Sequence, residues 1–224
     1  MSAALLPSRP VIESLVRESL FRQLGRQQPP EPAPTLVVNS SARHMHISPE
    51  NLEVLFGKAA ELTVHKWLYQ EGQFASQQTV TLVGPRKRIV PNLRILGPCR
   101  NLTQIELAIT DAIQLGINVP VKMSGDIEST PGGYVMGPKG MLEMKKGIIR
   151  AARHVHMSPS DAKFYNVKHL DRITLKVTAP GCITRFDDLI VRVDPTFKLE
   201  VHIDTDESNA CDLEHATKVE LLKS

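Results

Sequence analysis

Eight residues recur almost unchanged at two places in this chain, and both copies carry the pattern His-x-His. The first, Ala-Arg-His-Met-His-Ile-Ser-Pro, runs from Ala42 to Pro49; the second, Ala-Arg-His-Val-His-Met-Ser-Pro, runs from Ala152 to Pro159. Side chains alternate along a β-strand, so His44 and His46 share one face while Met45 and Ile47 share the other. His154 and His156 stand in the same relation to Val155 and Met157. Two imidazoles about 7 Å apart at Cα on one strand face can converge on one metal ion. A single His-x-His is as easily a polar strand face, but two copies 110 residues apart with matching flanks point to a paired metal site.

Two further strands offer a third ligand each. In Thr103–Ile109 the apolar Ile105, Leu107 and Ile109 oppose Gln104, Glu106 and Ala108; in Lys198–Asp204 the apolar Leu199, Val201 and Ile203 oppose Glu200, His202 and Asp204. Gln-Ile-Glu in the first half is thus echoed by Glu-Val-His in the second. Each half then supplies a His-x-His pair plus Glu106 or His202, and three protein ligands with an open position is the usual arrangement of a catalytic zinc. The alternatives are a solvated strand face for Glu106 and a surface histidine for His202. His65, His169 and His215 lack this context.

Between these elements, Gly97-Pro98-Cys99-Arg100-Asn101 is a turn that delivers a guanidinium just ahead of Glu106. Beside a metal, that fork suits a bidentate grip on phosphate or carboxylate. Cys99 is equally a metal contact or a small packed side chain. Ser124-Gly125-Asp126-Ile127 and Pro131-Gly132-Gly133 form a loop whose backbone can approach an anion.

The elements that must position these residues are mostly strands. Besides Thr35–Asn39, which feeds the first motif, strands are expected over Leu62–Leu68, Thr79–Val83, Arg88–Leu96, Thr103–Ile109, Val119–Met123, Ile148–Ala152, Arg172–Thr178, Leu189–Val193 and Lys198–Asp204. Ser48-Pro49 and Ser158-Pro159 each pair an N-cap with a proline at N1, so a short helix follows each motif, the first ending near Gly57 and the second carrying Asp161 at its third position. Short strands punctuated by Gly and Pro argue for a mainly β chain of two similar small β-barrel domains capped by short helices and related by duplication.

With 224 residues, the chain is long enough for two such domains. A net charge of +3 is too weak for a nucleic-acid surface but suits a small anion in a local pocket. Three scattered cysteines (Cys99, Cys182, Cys211) give no disulfide framework and suggest a reducing compartment. No apolar run approaches membrane-spanning length and there is no secretory h-region, so a cytosolic protein with neither membrane nor nucleic-acid partners is expected.

The first 27 residues stand apart. Ile12, Leu15, Val16, Leu20 and Leu24 recur at helical steps opposite Glu13, Arg17, Glu18 and Arg22, with Gly25 at a C-cap position. Residues 28–34 continue as a proline-rich linker. A helix this short needs a partner for its apolar face: either its own domain or, as the linker favours, another protein for which it is a detachable address.

Taken together, the residues resemble the PduL-type phosphotransacylases, the phosphate propanoyltransferases associated with bacterial microcompartments. The resemblance rests on the two Arg-His-x-His-x-Ser motifs, Gly-Pro-Cys-Arg-Asn-Leu-Thr-Gln-Ile-Glu (97–106), Ser-Gly-Asp-Ile (124–127), Gly-Pro-Lys-Gly (137–140) and Leu-Glu-Val-His-Ile-Asp-Thr-Asp-Glu (199–207), and spans about Thr35 to Leu222. Ser-Ala precedes Arg43 where the family more often has an asparagine. The resemblance implies two barrels, 35–46 plus 155–224 and 47–154, with two zinc ions between them. Its implied ligands are His44, His46 and Glu106 on one side and His154, His156 and His202 on the other, with Arg100 binding phosphate and Ser124 a further contact. It also implies coenzyme A as substrate or product, a helix at 1–27 of the encapsulation type that recruits microcompartment cargo or binds the shell, a place in the microcompartment lumen, and a homo-oligomer. The implied reaction is acyl-CoA + phosphate ⇌ acyl phosphate + CoA, by direct phosphate attack. A dinuclear zinc hydrolase and a non-enzymatic, zinc-stabilised module are the rival readings; Arg100 argues against a hydrolase of small neutral substrates.

Overall fold

The computed structural model describes residues 12, 13, 16, 19, 20, 23, 24 and 33–223. The chain divides into an N-terminal unit, Met1–Pro34, and a body, Thr35–Ser224. In the first, residues 12, 13, 16, 19, 20 and 23 are helical, and Ile12, Val16, Leu20 and Leu24 are exposed. Leu15, Arg17, Glu18, Arg22, Gly25 and residues 28–32 lie outside the described residues. No helix among those described is long and apolar enough to cross a membrane.

The body is mostly strand, as expected, in two curled half-barrel sheets with a few short helices. Its elements in order are β1 (Val37–Ser41), β2 (His44–His46), α1 (Pro49–Phe56), β3 (Val64–Trp67), β4 (Phe74–Val83), β5 (Ile89–Gly97), β6 (Gln104–Glu106), α2 (Ile109–Leu115), β7 (Val121–Lys122), β8 (Gly133–Met136) and β9 (Met141–Met144). There follow β10 (Ile148–Ala151), β11 (His154–Met157), α3 (Pro159–Tyr165), β12 (Arg172–Ala179), β13 (Cys182–Val193), β14 (Glu200–Asp204), α4 (Thr205–Ala210), a 3-10 turn (Leu213–His215) and β15 (Lys218–Lys223).

One sheet runs β1-β14-β11-β13-β12-β15 and the other β7-β10-β6-β2-β5-β4-β8-β9, with β3 alongside β4. Within them, β10-β6-β2-β5-β4 and β1-β14-β11-β13-β12 repeat one pattern. Each His-x-His strand pairs parallel with one neighbour (β5 or β13) and antiparallel with the other (β6 or β14). That repetition is consistent with duplication. The strand leading into each motif joins the other half's sheet: β1 lies parallel to β14, and β10 parallel to β6. The chain therefore crosses between Ser41 and His44, and again between Ala151 and His154. The junctions expected at 46/47 and 154/155 shift accordingly, because His44–His46 must lie between β5 and β6.

Behind the histidines the alternation holds. Met45 and Ile47 are fully buried in one core with Leu93, Ile95 and Ile105; Val155 and Met157 are fully buried in a second with Val191 and Val201. Both motifs end in the expected caps. Ser48 accepts a hydrogen bond from Asn51 N, while Ser158 accepts one from Asp161 N and Asp161 returns a bond from Ser158 N, a full capping box.

Several expectations need correction. The strand expected over Thr103–Ile109 is confined to Gln104–Glu106, and Ile109 begins α2, closed by Gly116 in the left-handed conformation. Asp204 ends β14 as the N-cap of α4, in a second capping box with Glu207. The hairpin β8–β9, the first half of β13, and β15 are strands where none was expected. Pro131-Gly132-Gly133 runs straight into β8, and a Cβ on Gly132 would lie 1.9 Å from the Met144 carbonyl oxygen. That glycine permits close backbone packing.

The capping box on α3 yields a stability prediction. Ser158→Ala removes the acceptor for the Asp161 amide and should destabilise the protein by about 1 kcal/mol. Urea unfolding should show a lower midpoint at unchanged slope; an unchanged midpoint would mean that water replaces the cap at no cost.

Candidate metal centre

The site grows out of strand register. Antiparallel pairing sets His44 opposite Glu106 and His46 opposite Gln104; in the other sheet it sets His154 opposite His202 and His156 opposite Glu200. Each cross-strand set presents its side chains on one face, so His44, His46 and Glu106 gather in one cluster and His154, His156 and His202 in another. Within each cluster one ligand atom per residue lies within 4.8 Å of the others. His44 and Glu106 from one cluster, and His154 and His202 from the other, line a single cleft with Ser41 and Asp204.

Backbone carbonyls orient the leading imidazole of each pair. Nδ1 of His44 is 2.9 Å from Ala42 O, and Nδ1 of His154 is 2.9 Å from Ala152 O. A carbonyl only accepts, so each Nδ1 carries the proton and each Nε2 turns a lone pair into its cluster. His44 Nε2 then lies 3.2 Å from His46 Nε2 and 3.5 Å from Glu106 Oε2.

Burial holds the pKa values of three of these imidazoles, His46, His154 and His156, well below the usual histidine range. Burial, the neighbouring His44 and Arg100 push His46 down to about 3. Burial and His202 hold His154 at about 4; burial, His202 and His154 hold His156 at about 2. Burial pushes the Glu106 carboxyl up, but His44 and His46 outweigh it, and the group ends at about 2. His46 Nδ1, both ring nitrogens of His156 and His202 Nε2 are buried without a hydrogen-bond partner. Orphaned buried nitrogens beside a carboxylate fit a divalent cation, which takes lone pairs without needing protons. The donor sets, two imidazoles with a carboxylate and three imidazoles, suit zinc.

Arg100 follows β5, is largely withdrawn from water, and donates its backbone N–H to Ile47 O at 2.9 Å. Burial lowers its pKa and the nearby Glu106 raises it, so the guanidinium stands close to the first cluster. Ser124 reaches the site indirectly: Gln104 Nε2 donates to Ser124 Oγ at 2.9 Å and to Glu106 Oε1 at 2.8 Å, while Gly125 N donates to Gln104 Oε1 at 2.7 Å. Cys99 packs against the first core.

Four side chains at the site are not singled out by sequence. Gln104 is fully buried and ties the Ser124 loop to Glu106. Glu200 is also buried, accepts from Gln70 Nε2 at 2.7 Å, and has Oε2 3.1 Å from His202 Nε2, outside hydrogen-bond geometry. Burial raises Glu200, but His202, Gln70 and Asn39 outweigh it and hold the carboxylate ionised. Phe197 stacks on His156 with ring centroids 4.1 Å apart, and Arg192 lies beyond it, 5.8 Å from the Phe197 ring. Gln104 and Glu200 were visible as polar members of alternating strands; Arg192 follows Leu189-Ile190-Val191 with no motif to mark it.

A family model described as phosphate propanoyltransferase matches residues 37–214. Relatives named phosphate propanoyltransferase include one from Planctopirus limnophila, 52% identical over 96% of this chain and 92% of the relative. Another, from Thermotoga maritima, is 49% identical over 79% of this chain and 84% of its own. A third, from Salmonella typhimurium, is 40% identical over 89% and 90%.

The suppressed imidazole pKa values set a pH dependence for the metal-free protein. Unfolded, His46, His154 and His156 would take a proton near 6.5; folded, they resist until about 3, 4 and 2. Below 6.5 the unfolded chain therefore binds more protons, and stability falls with pH. Glu106 acts in the same direction, its contribution present above 4.5 and lost as pH falls toward 2. The urea midpoint of chelator-treated protein should drop steadily from pH 7 to pH 4, and a flat midpoint would show that these side chains are solvated.

Proposed function

The chain belongs to the phosphate propanoyltransferase family, and we propose that it interconverts a short-chain acyl-CoA plus phosphate with acyl phosphate plus CoA at a dinuclear zinc site. One observation carries this reading: two three-ligand clusters open on one cleft, with the Arg100 guanidinium beside the first. His44, His46 and Glu106 would hold one ion and His154, His156 and His202 the other. Zinc bound there would supply Lewis acidity for the negative charge that develops on the thioester during transfer.

The chain's own residues bring the reactants together. Arg100 grips phosphate through charge-assisted hydrogen bonds, leaving one phosphate oxygen free to act as nucleophile. Its lone pair forms the new C–O bond at the thioester carbonyl carbon; the C–S bond then breaks, and CoA departs as thiolate and takes up, through solvent, the proton that the hydrogen phosphate gives up. The Gln104–Ser124 link holds the Glu106 carboxylate and the 124–125 turn in place while this happens. Attack is direct, since among the described residues no serine or cysteine is paired with a histidine as an activated nucleophile.

Residues 1–27 act as an address that carries the enzyme into a bacterial microcompartment, with 28–34 as the tether. The amphipathic pattern and the separateness of this unit support that assignment.

Metal analysis and thiol release test the chemistry together. Two zinc ions per chain and CoA release that requires phosphate are expected; phosphate-independent release would make the enzyme a hydrolase, and active protein without zinc would remove the metals from the mechanism. Arg100→Ala should raise the phosphate KM and slow turnover roughly ten- to a hundred-fold while zinc content holds, and Arg100→Lys should recover part of the loss because a point charge lacks the fork. Deleting residues 1–27 should leave turnover intact and abolish co-localisation with shell proteins; unfolding of the truncated protein would instead make the helix part of the core.

A further inference from the structure

Arg100 has a counterpart that the repeat does not explain. Arg192 lies on β13 in the other sheet, directly across the parallel pairing from His156. The position that corresponds to it next to His46 is Leu96, so this guanidinium is an addition to one half only. Its head lies over the ring of Phe197, which is itself stacked on His156, so the aromatic ring spaces the guanidinium from the imidazole.

Neither arginine is neutralised by a direct partner. Among the described residues, no carboxylate oxygen lies within 4.0 Å of either guanidinium, and neither side chain donates a hydrogen bond. Burial lowers the pKa of both, Glu106 attracts both, Arg192 lowers Arg100 by charge repulsion, and both act on His156. Arg192 also feels Asp194, an exposed carboxylate whose oxygen is engaged by Thr196. Two partly desolvated cations beside the same imidazole, with ten unclaimed N–H donors, are an expensive arrangement unless a multivalent oxyanion joins them. The charge balance agrees. Glu106 and Glu200 offset the two arginines, so two divalent cations in the clusters would leave the site strongly positive and in want of an anion.

We propose that Arg192 is a second anion-gripping residue, closing on phosphate, and on the phosphoryl group of acyl phosphate, from the side opposite Arg100. The inference rests on the phosphate-transfer reading above. A tetrahedral phosphate offers oxygens in both directions, so two forks can hold it without competing for the oxygen that attacks. Phe197 gives the Arg192 head a flat, apolar support that limits its rotamers and keeps it at the cleft rather than in solvent.

The test uses full-length, zinc-loaded enzyme and the variants Arg192→Gln, Arg192→Lys and Arg100→Ala. Thioester consumption is measured at varied phosphate and at varied acyl-CoA, binding of inorganic phosphate alone is measured by calorimetry, and zinc is assayed on the same samples. Arg192→Gln should raise the phosphate KM and dissociation constant roughly ten- to a hundred-fold, with little change in the acyl-CoA KM and full zinc content. Arg192→Lys, which keeps the charge and fold, should fall between the two. Unchanged phosphate dependence in both Arg192 variants, with Arg100→Ala impaired, overturns the proposal and leaves the phosphate-transfer reading standing. Phosphate dependence untouched in all three variants overturns that reading as well. Loss of zinc in Arg192→Lys, or a rise confined to the acyl-CoA KM, would assign Arg192 to holding His156 or to coenzyme A, and would equally overturn it.

Discussion

The register between each His-x-His strand and its antiparallel neighbour is the constraint on which the rest of the structure depends. It sets His44 against Glu106 and His154 against His202, and it does so because the residues between them cannot face the cleft. A slip of one residue would send Met45, Ile47, Val155 and Met157 to the cleft and the four histidines into the cores. At about 1.5–3 kcal/mol for each buried apolar side chain, that slip forfeits on the order of 6–12 kcal/mol, comparable with the whole stability of a domain, before the cost of burying imidazoles is counted. The site's geometry is thus enforced from behind, by packing, and the ligands themselves need contribute nothing to it.

Packing within a sheet does not explain why two clusters share a cleft; the path of the chain does. Because β1 and β10 each join the other half's sheet, the segments Ala42-Arg43 and Ala152-Arg153 are short bridges between sheets. The bridges end at the carbonyls that orient His44 and His154, so the crossing and the ligand tautomer are fixed by the same two residues. The motif arginines secure the bridges in parallel fashion. Arg43 reaches Asp111 at the third position of α2, and Arg153 reaches Glu207 at the third position of α4. These acids also favour their helix N-termini. Arg150, bonded to Asp204 and Glu207, adds a second clasp on one side. Gln70, from the turn before β4, completes the closure by bonding the Lys198 backbone and Glu200.

What the sequence discloses follows from which signals are local. The repeated motif, the alternation behind it, and the Ser-Pro caps are all set within a few residues, and the structure keeps them. The third member of each cluster was legible because Glu106 and His202 sit on alternating strands and because the two halves can be laid side by side. The strand expected to Ile109 overruns the start of α2 because Ile105, Leu107 and Ile109 alternate, although Ile109 has left the sheet and Gly116 marks the helix end. The hairpin β8–β9 was hidden by the Gly-Pro-Lys-Gly turn that makes it. Arg192 was illegible for a deeper reason: its importance lies in what faces it from Arg100, Phe197 and Glu106, and none of those relations has a sequence period.

The two clusters are built alike but charged differently, and the register shows how. In the first, the paired positions carry neutral Gln104 opposite His46 and acidic Glu106 opposite His44; in the second, acidic Glu200 stands opposite His156 and neutral His202 opposite His154. The two sheets share one plan, but the carboxylate stands at adjacent positions of the strand face in the two. Each cluster therefore retains one buried carboxylate, but in the first it belongs to the three-residue set, whereas in the second it stands beside the set, against His202 Nε2. A carboxylate oxygen makes the first cluster the harder of the two, and three imidazoles make the second the softer. The proposed transfer, which joins a phosphate oxygen to a carbon while releasing a sulfur, would use that inequality, and two identical sites would not supply it.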